Sequence, residues 1–117
     1  MIAAHGGGRF AFAGMAHRGS ILATPRGVRP IEAASLEDLN PTALAPLFAE
    51  IVERPGSIEF LVVGAGGQVA PTPKPLRDAL REAGLRFEIM ATGPALRVFN
   101  VMQSEDRPVA AVLIAAP

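Results

Sequence analysis

Apolar and polar positions recur along this chain at two periods, one that suits strands and one that suits helices. The clearest run is Ser57-Ile58-Glu59-Phe60-Leu61-Val62-Val63, which ends abruptly in Gly64-Ala65-Gly66-Gly67. A short apolar run bounded by glycines predicts a buried strand that empties into a tight loop. In open α/β sheets, ligands collect in the crevice beyond the carboxyl ends of the strands. Loop 64–72 is therefore the first place to look for a site.

Upstream, Arg9-Phe10-Ala11-Phe12 alternates with period two and predicts a short strand with both Phe on one face. The glycines at 6–8 before it predict a segment that wraps an edge. Ser20 to Thr24 reads as a second strand, Pro25-Arg26-Gly27 as a tight turn and Val28 to Ile31 as its antiparallel return. Residues 20–31 are thus an expected N-terminal β-hairpin. Ser35 caps a single turn over 35–38. Asn40-Pro41 then opens a helix whose Leu44, Leu47, Phe48 and Ile51 share one stripe. Pro46 conflicts with an unbroken helix, so a break near Ala45 or a start at Pro46 is expected.

Pro73 and Pro75 precede a second helix with Leu76, Ala79, Leu80 and Ala83 inward, and Gly84 is its expected C′ residue. Leu85 to Met90 is the next strand. Thr92-Gly93-Pro94 opens a third helix with Leu96, Phe99 and Met102 inward. Pro108 to Ala116 is almost wholly apolar, as expected of a strand buried on both faces. Strands joined through helices imply parallel pairing. The reading is one α/β domain over residues 1–117, with a central mixed, mostly parallel sheet flanked by helices.

Composition narrows the function classes. Half of the residues are hydrophobic, 19% are charged and the formal net charge is zero, which is a folded-domain balance. Cysteine is absent, which excludes disulfides, thiolate metal sites and cysteine nucleophiles. No apolar run reaches the ~20 residues of a membrane span. With no basic-then-apolar signal pattern at the start, a cytoplasmic location is expected. Tyr and Trp are also absent, which argues against base-stacking platforms and nucleic acid. Charge is unevenly spread. Residues 1–31 hold four Arg and no acid, whereas residues 32–59 hold six acids against Arg54 alone.

The glycine loop fails as a nucleotide cradle. Gly64-Ala65-Gly66 follows a strand, yet Val69 stands where a third glycine is needed and three prolines delay the helix. A small anion is the remaining candidate ligand, held by Gly64, Gly66 and Gly67 on one loop and by Thr92 and Gly93 on loop 91–94. Asn100, among apolar residues on the third helix, is expected either to tie that helix to the glycine loop or to point to solvent. His17-Arg18-Gly19-Ser20 sets a possible acid–base group next to a hydroxyl, and His17, Arg18 and Ser20 are candidates for acid–base or partner contact. No carboxylate lies nearby in sequence to complete a catalytic set. Two histidines with scattered carboxylates offer no metal site.

Several segments together carry a resemblance. They are Gly7-Gly8-Arg9-Phe10, His17-Arg18-Gly19-Ser20-Ile21-Leu22, Phe60 to Gly66, Met90-Ala91-Thr92-Gly93, Phe99-Asn100-Val101-Met102 and Arg107 to Ile114. In this order the chain resembles a domain-of-unknown-function family of bacteria, archaea and mitochondria. Its members include a mitochondrial complex I (NADH:ubiquinone oxidoreductase) assembly factor and an adipogenesis-associated domain protein. The resemblance implies a three-layer α/β domain, no established catalytic activity and no cofactor. It further implies protein partners among membrane-complex subunits or assembly factors, for a respiratory complex or for protein translocation. Many relatives carry Ala-Cys-Arg-Thr where this chain has Ala95-Leu96-Arg97-Val98, so thiol chemistry cannot operate here. The expected function is a non-enzymatic accessory or assembly factor. The alternative is a small-anion binding protein or enzyme using the crevice at loops 64–72 and 91–94.

Overall fold

The computed structural model of the chain describes residues 2–5, 9–12, 15–67 and 71–115. The expected edge-wrapping glycines at 6–8 lie outside those residues. Among the described residues eight strands and three α-helices follow in the order β1 (Ile2–His5), β2 (Arg9–Phe12), β3 (Met15–Arg18), β4 (Ile21–Thr24), β5 (Gly27–Pro30), α1 (Ala45–Glu53), β6 (Phe60–Gly64), α2 (Lys74–Glu82), β7 (Arg86–Met90), α3 (Thr92–Ser104) and β8 (Val109–Leu113). A single 3₁₀ turn, Leu36–Asp38, precedes α1. The Asp38 carboxylate accepts the Ala34 and Ser35 amides at 2.9 and 3.3 Å and so fixes that turn.

The strands form two sheets, one of order β5-β4-β8-β6-β7 and a separate antiparallel one of order β1-β2-β3. In the five-stranded sheet β6 runs parallel to β7 and to β8, while β4 is antiparallel to β5 and to β8. The expectation of a mostly parallel sheet is thereby corrected: two of its pairings are parallel and two antiparallel. The cause is the hairpin. Its tight turn forces β5 to run back along β4, and β4 then docks against β8 in the opposite direction. The small sheet escaped the sequence reading except for β2, because Ile2-Ala3-Ala4-His5 and Met15-Ala16-His17-Arg18 do not alternate large apolar with polar residues as β2 does.

Side-chain alternation sorts the large sheet into two cores. Leu22, Leu61, Val63, Ala110, Val112 and Ile114 pack with the inner stripes of α1 and α2, Leu44, Leu47, Leu76 and Leu80 among them. Ile21, Ala23, Val62, Val109, Ala111 and Leu113 face the other way. Their partners are Ala95, Leu96 and Phe99 of α3 together with Ile2 and Phe10 of the small sheet. β8 is buried along its whole length, as a strand covered on both faces must be.

Helix ends explain the rest of the punctuation. Asn40 closes its own turn, accepting the Ala43 amide at 2.9 Å, and α1 starts afresh so that Pro46 falls in its first turn, where no amide is missed. At the end of α2, Leu85 N–H bonds Leu80 C=O and Gly84 N–H bonds Arg81 C=O, with Gly84 at φ +77°. The end of α3 repeats this geometry: Arg107 N–H bonds Met102 C=O and Asp106 N–H bonds Gln103 C=O. There the left-handed position is held by Asp106 at φ 56°. An L-residue with a side chain adopts it at a cost of roughly 1 kcal/mol.

Asn100 fastens the small sheet to α3. Its Oδ1 accepts the Ile2 amide at 3.1 Å and its Nδ2 donates to the Ile2 carbonyl at 2.6 Å. Asn100→Ala should destabilise the fold by about 1–2 kcal/mol in urea denaturation, with amide exchange accelerated in β1 and β2 more than in β6 and β8. Uniform acceleration would contradict this anchoring. Asp106→Gly should raise stability by about 0.5–1 kcal/mol, read as a higher urea midpoint at unchanged slope.

Candidate functional site

The sequence pointed to the exits of β6 and β7, and the structure brings those exits together. Thr92, the first residue of α3, is 3% exposed. Its hydroxyl accepts the Gly66 amide at 2.8 Å and donates to the Ile114 carbonyl at 2.6 Å. Its own amide donates to the Gly66 carbonyl at 2.9 Å. Gly66 needs its glycine identity for φ +92°. Gly64 needs it for a different reason, close approach. A Cβ placed there would stand 2.9 Å from Thr92 Oγ1, 3.0 Å from Thr92 Cα and 3.1 Å from Leu113 Cδ2.

Ser20 joins the same seam from the other side. Also 3% exposed, its hydroxyl accepts the Ala115 amide at 2.9 Å and donates to the Ala33 carbonyl at 2.6 Å. Ile114 C=O and Ala115 N–H belong to one peptide unit. Thr92 therefore holds one end of that unit and Ser20 the other. The result is a continuous relay from the Gly66 amide through Thr92, the 114–115 peptide and Ser20 to the Ala33 carbonyl. Both hydroxyls are occupied as donor and as acceptor.

The other candidates fall in different places. Gly67 and Gly93 are exposed, with space around the missing side chain. Asn100 does not reach the glycine loop as expected; both ends of its amide are on Ile2, because its turn of α3 faces β1. His17 and Arg18 lie on β3 of the small sheet. The His17 ring makes a tilted contact with Phe12, centroids 6.5 Å apart, and Arg18 is exposed. Ser20 thus converges with Thr92, whereas His17 is turned toward Phe12. Among the described residues no group of His, Asp and Glu is placed to hold a metal ion.

Two features were missed by the sequence reading. Glu50, in the sequence only one of the six acids of residues 32–59, is 3% exposed and accepts the Thr24 hydroxyl at 2.6 Å; Arg26 pairs with Glu53 at 2.7 Å. Through these contacts α1 grips the β4–β5 turn. Beside that turn a hollow of about 410 Å³ opens between the small sheet and α3, with Phe12, Val28 and Phe99 in its wall and Arg26 and Gln103 at its rim. It lies at the Thr24 end of β4, away from the glycine exit, where Ile21 pairs with Leu113.

The model for proteins of unknown function DUF498/DUF598 matches residues 2–114. The chain belongs to this family. It is 34% identical to an uncharacterized protein of Rhodobacter capsulatus over 97% of this chain and 82% of that one. It is 32% and 33% identical to NADH dehydrogenase [ubiquinone] 1 alpha subcomplex assembly factor 3 of Drosophila melanogaster and Xenopus tropicalis. Those matches cover 82% and 77% of this chain, and the chain spans about half the length of both animal relatives (48% and 47%). Among solved structures, an outer membrane protein from Bartonella henselae has a TM-score of 0.82 at 39% identity, over 99% of this chain and 94% of that one. The Rpa2829 protein of Rhodopseudomonas palustris has a TM-score of 0.81 at 39% identity, over 100% and 83%. Among the described residues no helix is long and apolar enough to cross a membrane.

The seam generates a graded expectation. Thr92→Val removes the hydroxyl at nearly constant shape, orphans the Gly66 amide and the Ile114 carbonyl, and should cost about 2–4 kcal/mol in urea denaturation. Thr92→Ser keeps both bonds and should cost about 1 kcal/mol, the lost methyl alone. Equal losses for the two variants would mean that the hydroxyl bonds carry no weight. Gly64→Ala should cost about 2–3 kcal/mol by overpacking against Thr92 and Leu113.

Proposed function

We propose that this protein is a non-enzymatic accessory factor that supports assembly of a membrane complex, respiratory or protein-translocating, by binding protein partners from the cytoplasmic side. One observation carries the reading: the chain is about a third identical to complex I assembly factor 3 of two animals across most of its own length. The chemistry of the seam supports it, since the hydroxyls of Ser20 and Thr92 are both spent on backbone groups. The one proton of each hydroxyl is committed to a backbone carbonyl, which leaves none to donate to an anion or to a base. In the same reading the large sheet is the middle of three layers. Helices α1 and α2 form one outer layer, and α3 with the small sheet forms the other.

The test is affinity purification of the tagged chain from its native host under conditions that retain weak complexes. Subunits of a membrane complex, or its other assembly factors, should be recovered above an untagged control. Recovery of none would overturn the proposal.

A further inference from the structure

An accessory factor of this kind needs a surface for its partner, and one face of the molecule is shaped for a specific class of segment. Phe48, Ile51 and Val52 of α1 and Ala79 and Ala83 of α2 line an open groove of about 460 Å³, with Glu82 on its rim and Pro41 at one end. Val52 is 78% exposed, in a helix whose inward stripe is already satisfied by Leu44, Leu47 and Ile51. It is an apolar residue outside the stripe that builds the core. On the facing wall alanines take the place of larger residues, which leaves room for side chains from outside.

The same segment, residues 40–42, also borders an acidic hollow. Asn40 and Thr42, on either side of Pro41, line a second depression of about 500 Å³ together with Glu32, Glu37 and Asp38. Residues 32–53 carry five acids and neither Lys nor Arg. Among the described residues, no ion pair takes Glu32 or Glu37, and both are exposed. The Lys74–Asp78 pair of α2 is solvent-exposed on that helix. Lys74 holds the Asp78 carboxyl below its ordinary range by hydrogen bonding.

Resting on the assembly-factor reading, we infer that this face receives an amphipathic helix whose apolar stripe lies along the α1–α2 groove and whose basic end sits on Glu32, Glu37 and Asp38. Apolar contact along a furrow between two helices supplies affinity through residues spaced i, i+3, i+4, i+7. The acids set direction and polarity, because a helix entering in reverse brings its basic end to the apolar part of the groove. Glu82 at the far rim also disfavours an acidic helix. A helix of about 18 residues is about 27 Å long, five turns along which apolar and basic residues can be set apart.

The experiment uses the full chain and a synthetic 18-residue peptide with Leu at i, i+3, i+4, i+7 and three Arg in one terminal turn, followed by fluorescence anisotropy. Val52→Glu should weaken binding by about tenfold or more, since it places a charge in the apolar furrow. Its urea midpoint should not change, because the side chain is exposed. Glu32→Gln with Glu37→Gln should weaken binding by about three- to tenfold at low salt and flatten its salt dependence. A peptide with Glu in place of Arg should bind at least about tenfold more weakly than the basic one.

Equal binding by the parent, Val52→Glu and the acid-neutralised chain would overturn the inference. So would a concentration-dependent dimer abolished by Val52→Glu, which assigns the groove to a second copy. The assembly-factor reading is separated by repeating the native-host purification with Val52→Glu. Partners recovered equally by parent and variant refute the groove and leave that reading intact, whereas no partners with the parent refute the reading itself.

Discussion

One peptide unit organises the top of this fold. The 114–115 peptide leaves the end of β8, the central strand, and is held at its carbonyl by Thr92 and at its amide by Ser20. Ser20 stands at the entry to β4 and Thr92 at the entry to α3, so the two bonds tie a neighbouring strand and a covering helix to the end of β8. Gly66, leaving β6, completes the grip through Thr92. A buried polar group without a partner costs on the order of 1–3 kcal/mol. This cluster is therefore stable only if all its members are present. The missing side chain of Gly64 is the steric condition for it, because any Cβ there would collide with Thr92.

This changes the meaning of the glycine exit. In a nucleotide-binding loop, glycines bring the backbone to a phosphate; here they bring it to the chain's own threonine. The amide and the hydroxyl that could have faced an anion face each other. The helical face carries an apolar groove and, beyond the segment 40–42, a hollow lined by Glu32, Glu37 and Asp38; the hairpin side carries a hollow rimmed by Arg26 and Gln103.

Much of this was legible in the sequence, and the limits have physical causes. The stripes Leu44-Leu47-Ile51 and Leu76-Leu80, the Gly84 helix stop and the 20–31 hairpin were all visible, because each is a local pattern of period or backbone preference. The adjacency of Gly64 and Thr92 also followed, from parallel pairing of β6 and β7. Pairing across long separations did not. Asn100 reaches Ile2, 98 positions away, and Ser20 reaches Ala115, 95 positions away. No local pattern encodes such partners. The burial of Glu50 is hidden for a related reason, since only the docking of Thr24 explains it. Val52 stands outside the inward stripe in the sequence, but its exposure shows only in the fold.

Ser20 and Thr92 act together on one peptide to close the sheet. A double-mutant cycle of Ser20→Ala and Thr92→Val, read by urea denaturation, tests it most directly. Once either hydroxyl is gone the peptide loosens, so the second loss should cost less than it does alone, with a coupling of about 0.5 kcal/mol or more. Losses that add to within about 0.3 kcal/mol would contradict the account and reduce the seam to two independent bonds.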